Sequence, residues 1–560
     1  MARTVSIGAQ DFEELISKNC FYIDKTLFIK EWWESEDKVT LITRPRRFGK
    51  TLNMNMLERF FSLDHKGQGE VFEGLRIWKE KSPNGDYRYR ELQGTYPVIF
   101  LSFAGVKADN YEDAREQIFQ IITNLYSRHE YLQDSEKLGR KDKEFFDRIG
   151  RDMSNSDASM AIHQLTEYLC RYYGRKVIIL LDEYDTPLQE AYVSGYWEEI
   201  VSFIRILFNN TFKTNPYLER AVMTGITRVS KESLFSDLNN LKVITMTSNM
   251  YSTCFGFTEE EVFTAMDEFG LINKEEVKQW YDGFTVGDRQ DIYNPWSIIN
   301  FLDEGKLKPY WANTSSNGLV SRLIREGNRD IKMQFEDLLQ GHPIQSEIDE
   351  EIIFDQLDVD ENSVWSLLLA SGYLKVNDIQ DDVYELELTN YEVRKTFCKM
   401  VKLWFRNDST DYNGFVRALL SGNVKEMNAY MGRFIFNVIS SFDGGNHPSE
   451  YTMPEKFYHG FVLGLLVELA GRYEVTSNRE SGFGRYDVML RPLRQGEDGI
   501  ILEFKVHDPK EESSLEETVQ AALDQIEEKK YEQALLSQEI GEEQIRKYGF
   551  AFRGKEVLIG

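Results

Sequence analysis

Three residues near the C-terminal end, Asp487, Glu503 and Lys505, have the types needed to cut a phosphodiester. Glu503 and Lys505 stand two apart, so on an extended strand they share one face. Asp487 follows a glycine-rich turn in "ESGFGRYD", and a strand starting there beside "GIILEFKVHD" (499–508) would set two carboxylates together. Paired carboxylate oxygens suit a hard cation, Mg²⁺ or Mn²⁺. A lysine beside them can orient or help deprotonate the attacking water. A second group lies far upstream. "ITRPRRFGKT" (42–51) ends in Gly49-Lys50-Thr51, and "KVIILLDEYDTPL" (176–188) turns at Asp182-Glu183. Lys50 can reach the β- and γ-phosphates of a nucleotide, and the Thr51 hydroxyl can ligate Mg²⁺. Asp182 would hold the Mg²⁺ shell, often through water, and Glu183 would polarise the water that attacks. Such a centre hydrolyses a nucleoside triphosphate.

These residues need particular elements to hold them. "KVTLIT" (38–43) is a branched apolar strand, and "LNMNMLERFFSL" after Thr51 has helical spacing. Strand, tight loop and helix follow in the order a phosphate loop requires. The N–H groups of the helix start then point at the anion. The nucleotide-binding set is Arg47, Phe48, Gly49, Lys50, Thr51 and Leu52. The pattern G-x-x-x-x-G-K-[ST] expects a glycine where Arg44 stands, and Pro45 stiffens the chain there. Arg44, Arg46 and Arg47 could face the nucleotide, a neighbouring subunit or nucleic acid. Further strands are expected in "YPVIFLSF" (96–103) and "ERAVMTGITRVS" (219–230). The second puts Thr224 at a strand end, where it could sense the γ-phosphate. Arg228 lies just beyond and could contact that phosphate in cis or from a neighbour.

The middle, 320–445, reads as mostly helical and carries no catalytic constellation, so a coupling role is expected. "VWSLLLASGYLKV" (364–376) should be a helix ending near Gly372 and turning into a strand. At the C-terminal end, "EKFYHGFVLGLLVELAG" (455–471) is an apolar helix. Counting from Phe457 places Glu468 at the border of its buried face, where a carboxylate needs a partner or must reach solvent.

Composition sets the outer limits. Apolar residues are 41% and charged residues 28% of the 560, as in folded globular proteins. No apolar run approaches the roughly 20 residues of a spanning helix, so no membrane partner is expected. Four scattered cysteines without zinc spacing, and acidic residues early in the chain, point to a reducing cytoplasm. A net charge of −27 argues against non-specific coating of nucleic acid, though not against a locally basic groove.

The motifs "YIDKT" (22–26), "LITRPRRFGKTLNM", "LLDEYDTPL", "TGITRVS", "WYDGF" (280–284) and "YNPWSIINFL" (293–302) resemble the AAA-ATPase-like family of bacterial proteins. That family commonly ends in a PD-(D/E)xK nuclease domain, and Asp487, Glu503 and Lys505 fit its D…E-x-K pattern. Its loop also carries arginine-proline-arginine-arginine before F-G-K-T. The resemblance implies an α/β P-loop NTPase core of the AAA and STAND kind over 1–270 and a lid or winged-helix-like segment over 271–345. A helical coupling region over 346–445 and a restriction-endonuclease-like α/β domain over 446–560 follow. It implies ATP and Mg²⁺ as ligands, DNA ahead of RNA as substrate, and a homo-oligomer among its partners. It also implies Glu480 or Glu468 as a third metal-binding acid, with Gln525 and Tyr531 in support. The alternative is a STAND-like nucleotide-operated switch, in signalling or phage defence, whose C-terminal domain binds without cutting.

Overall fold

The computed structural model describes the chain except residues 1, 83, 230–233, 236–237, 312–317, 350–356, 358–360, 405–411, 433–460, 463, 482–483 and 554–555. The expected helix start at Phe457, and most of "WANTSSN", lie outside the described residues. The chain forms two compact units, residues 1–319 with 345–393, and residues 320–344 with 394–560.

Runs of branched apolar residues make the central strands of the first unit. These are β1 (Val39–Thr43), β2 (Val98–Ser102), β3 (Val177–Asp182), β4 (Leu218–Gly225) and β5 (Leu241–Ile244). They form one parallel sheet in the order β2-β3-β4-β1-β5. Every residue of β1 and β3 is buried, as befits a parallel sheet covered on both faces. The order places β4 between the strand that feeds the phosphate loop and the strand that ends in Asp182. Ile42 pairs with Thr224, so Thr224 lies level with the start of the loop. The helix Lys50–Phe61 follows the loop and buries Met54, Met56, Leu57, Phe60 and Phe61.

Two smaller sheets complete this unit. β6 (Phe257–Thr258), β7 (Phe284–Val286) and β8 (Arg289–Tyr293) associate in the order β6-β8-β7, flanked by the helices Glu259–Phe269, Lys274–Tyr281 and Pro295–Glu304. The helix Glu361–Ala370 ends at Gly372, whose φ of +83° suits glycine, and the chain turns into a strand as its sequence predicts. The sheet it enters is larger than expected: β10 (Leu374–Gln380) pairs with β11 (Val383–Leu388), and β9 (Ile344–Glu347) adds to β11. β9 was hidden because four residues show too little alternation to stand out from a helical neighbourhood.

The second unit holds a five-stranded sheet in the order β12 (Tyr473–Ser477), β15 (Val488–Pro492), β16 (Gly499–Val506), β17 (Ile545–Arg553), β18 (Glu556–Ile559). A separate hairpin joins β13 (Glu480–Ser481) to β14 (Gly484–Arg485). All neighbours in the main sheet are antiparallel except β16 and β17. A parallel pair needs a crossover, and the helix Leu515–Lys529 supplies it. That helix and the following turn bury Ile526, Tyr531 and Leu535 against Tyr486, Met489 and Ile501. Gly549 of β17 allows this close approach, because a Cβ there would lie 2.7 Å from the Val519 carbonyl oxygen. Among the described residues, no helix is long and apolar enough to cross a membrane.

Candidate nucleotide and metal-binding centres

The first centre gathers at the carboxyl ends of β1, β3 and β4. Gly49, at a φ of +83°, opens the helix Lys50–Phe61. The Lys50 Nζ donates to the carbonyls of Arg44 (2.9 Å) and Pro45 (2.8 Å), and burial holds its pKa below the ordinary lysine value. The Thr51 hydroxyl donates to Asp182 Oδ2 at 2.7 Å, and the Thr224 hydroxyl to Asp182 Oδ1 at 2.5 Å. Burial pushes the Asp182 carboxyl up, against the pull of those two hydroxyls. Glu183 takes a left-handed backbone, φ +51°, a strain that is worth about 1–3 kcal/mol when it occurs outside glycine. Thr51, Asp182, Glu183 and Thr224 therefore converge.

Arg44 lies elsewhere than its charge suggests. It is completely buried, and its guanidinium donates to the carbonyls of Thr43 (2.9 Å), Thr245 (2.7 Å) and Met250 (3.3 Å). Burial lowers its pKa to about 10. Of the three destinations open to it from sequence, none is its place: it is an internal strut tying the loop to the segment after β5. Arg47, exposed and at φ +62°, sits over the Trp296 ring, 4.2 Å from its centre. Phe48 packs edge-on against Phe284 at 4.9 Å. The Arg46 carbonyl accepts from Trp311 Nε1 (2.9 Å) and Asn294 Nδ2 (3.3 Å). The outer half of the loop is thus gripped by "YNPW" and Trp311, residues the sequence pattern did not connect to it. Leu52 is half-buried in the first turn of the helix. Arg228 lines a cleft with Thr43, Thr245, Thr247 and Asp349.

The second centre lies on the face of β15 and β16 that packs against the helix Leu515–Lys529. Val488 pairs with Leu502, which sets Asp487 across from Glu503. The Asp487 N–H donates to Glu503 Oε2 at 3.3 Å, and the Phe504 N–H donates to Asp487 Oδ2 at 2.8 Å. The Gln525 side-chain amide donates to Glu503 Oε1 and, at 3.2 Å, to the Tyr531 hydroxyl. Glu503 is 3% exposed; burial and then the Asp487 charge push its carboxyl up to about 8, with Lys505 opposing. Two carboxylates set opposite each other on adjacent strands have the donor chemistry of a hard divalent cation site. Gln525 and Tyr531 thus stand behind Glu503. Glu468 is half-buried on the helical segment 464–469, and nearby Phe461 packs against Phe504 and Phe550. Phe504 alternates with Glu503, so that packing covers the opposite face of the sheet. Glu480 lies in the β13–β14 hairpin. Elsewhere Glu259, Asp282 and Asp291 also converge, but Lys278 Nζ stands among them, 2.5 Å from Glu259 and 3.3 Å from Asp291.

A parallel sheet of this order, with a lysine-threonine loop facing an aspartate across one intervening strand, defines a P-loop NTPase. The C-terminal sheet with its D…E-x-K face defines a nuclease-superfamily fold. Residues 6–235 match the family described as predicted AAA-ATPase, and residues 453–560 match the PD-(D/E)XK nuclease superfamily. The chain therefore joins an AAA-ATPase-like domain to a C-terminal domain of that superfamily. It is 25% identical over 400 residues to an uncharacterized protein in the vnfD 5′ region of Azotobacter chroococcum mcd 1, covering 70% of this chain and 68% of that one. A crystal structure of a STAND protein with a tetratricopeptide repeat sensor, from Pyrococcus horikoshii, matches at 12% identity and a TM-score of 0.22. That match covers 80% of this chain and 56% of the other.

Proposed function

We propose that this chain binds and hydrolyses ATP in its N-terminal domain and cleaves nucleic acid, DNA foremost, in its C-terminal domain. The observation that carries the second half is the pairing of Asp487 with Glu503 on adjacent strands, with Lys505 on the same strand face. Asp487 and Glu503 would hold a divalent cation, Mg²⁺ or Mn²⁺, whose Lewis acidity polarises the scissile phosphate and its attacking water. Lys505 orients that water and takes part in moving its proton. Gln525 fixes the Glu503 carboxylate, and Tyr531 in turn receives the Gln525 amide. In the first domain, Lys50 engages the β- and γ-phosphates, Thr51 and Asp182 serve the nucleotide's Mg²⁺, and Glu183 acts on the water. Thr224 and Arg228 read the γ-phosphate.

The test is a cleavage panel with plasmid, single-stranded DNA and RNA, with Mg²⁺ or Mn²⁺, with and without ATP. Cleavage should require the metal, and Lys505→Ala should lower its rate about a thousandfold, the scale of several kcal/mol of transition-state stabilisation. Unchanged cleavage by that variant would sink the site assignment. ATP-dependent self-association without any cleavage would favour the switch reading instead.

A further inference from the structure

Asp185 lies three residues past Asp182 and is buried to 1% exposure. Four donors converge on its Oδ2, each at 2.9 Å: the N–H groups of Ile226 and Thr227, the Thr227 hydroxyl and the Gln189 side-chain amide. Beside it, the buried Tyr184 hydroxyl donates to the Thr227 carbonyl at 2.8 Å and accepts the Val229 N–H at 3.1 Å. Apart from Gln189, every one of these partners lies in one turn, Gly225–Val229, which carries Arg228. The fit leaves no slack. A Cβ on Gly225 would lie 2.6 Å from the Tyr184 ring and 2.8 Å from Asp185 Oδ1.

Burying a carboxylate is costly, and a well-packed apolar residue would fill the space at lower cost. What four donors on one oxygen add is a fixed backbone. Asp182 grips the end of β4 through Thr224, and Asp185 grips the turn behind it. Glu183 is held between them in its left-handed conformation. Gln189 extends the link to the phosphate loop, because its carbonyl oxygen accepts from Arg46 at 3.3 Å. The three residues after β3 and the turn after β4 are therefore one body.

We propose that Asp185 is a positioning residue that fixes the Gly225–Val229 turn so that Arg228 meets the γ-phosphate, and so sets the preference for a nucleoside triphosphate over the diphosphate. This rests on the nucleotide reading above. The test uses full-length D185A, D185N, Y184F, R228A and the D185A/R228A double variant, each shown folded by circular dichroism. Calorimetry then measures ADP and a non-hydrolysable ATP analogue. D185A should weaken the analogue about tenfold, the scale of one hydrogen bond to a charged group, and leave ADP within about twofold. D185N keeps an oxygen acceptor and should recover most of the loss. Y184F, which removes one tie without opening a cavity, should shift the ratio the same way but less. The double variant should bind the analogue no more weakly than R228A, since both remove the same contact. An unchanged ratio in D185A and Y184F, equal weakening of both nucleotides, or additive losses in the double variant would overturn the proposal. Parent protein that binds neither nucleotide would overturn the nucleotide reading itself, and the positioning role with it.

Discussion

Asp182 and Glu503 each lie at or near the end of a buried strand, and burial pushes both carboxyls above their ordinary range. Their surroundings differ. Asp182 accepts from two hydroxyls of its own domain, Thr51 and Thr224, and has Lys50 nearby. Glu503 faces a second carboxylate, Asp487, and has Gln525 and Lys505 to offset it. The first acid is positioned by neutral donors that the chain itself provides. The second belongs to a pair that repels itself and is relieved by a proton. One centre is thus set by geometry, the other by charge.

The sharpest way to break that contrast is Lys50→Ala. If Lys50 engages the phosphates as proposed, removing its ammonium should weaken ATP binding about a hundredfold, on the scale of a lost charge-assisted contact. Mn²⁺ uptake at the C-terminal centre, measured by calorimetry, should stay within about twofold. Equal loss at both centres would show that they are not separately built.

Arg44→Gly restores the glycine of the common loop pattern, and it should harm the protein. Three carbonyls lose the Arg44 donor, of which the Thr245 carbonyl keeps the Ser248 N–H at 3.3 Å, and each lost hydrogen bond is worth roughly 0.5–1.5 kcal/mol. The melting temperature of the N-terminal domain should fall by several degrees, and nucleotide affinity should not rise. A tighter nucleotide complex with unchanged melting would show that Arg44 is a defect and not a strut.

Arg44 also marks where sequence reasoning ran short. The phosphate loop, its strand, the "LLDEYD" strand and the E-F-K strand were legible because each rests on local chemistry and period. Strand neighbours fixed the rest: β4 entered between β1 and β3, and only then did Thr224 reach Asp182. A buried arginine looks like a surface one in a sequence, because its partners are backbone carbonyls as far away as Met250. Asp185 was readable only as the third acid in "DEYD"; its backbone partners lie some forty residues on. The Trp311 grip on Arg46 spans still more chain. The C-terminal centre was more legible, since β15 and β16 are neighbours in sequence and pair directly.

The smallest effect concerns Glu503 and pH. Its carboxyl sits at about 8 in the folded protein against 4.5 ordinarily. Between those values the folded state holds a proton that the unfolded state has lost, so stability falls as pH rises through the window. This is the reverse of the usual paired carboxylate, whose stabilisation grows with pH. Glu503→Gln removes the titration. Its melting curve should therefore vary less between about pH 5 and 9, and at the upper end the variant should outlast the parent by a few degrees. Millimolar Mg²⁺ should offset the decline in the parent, because a cation neutralises the pair that burial sets against itself, and should do little for the variant. Asp182, which burial also raises, should shift stability in the same direction, with the Thr51 and Thr224 hydroxyls opposing the effect. Parallel curves for parent and Glu503→Gln would remove the charge-built half of the contrast and leave both centres set by geometry alone.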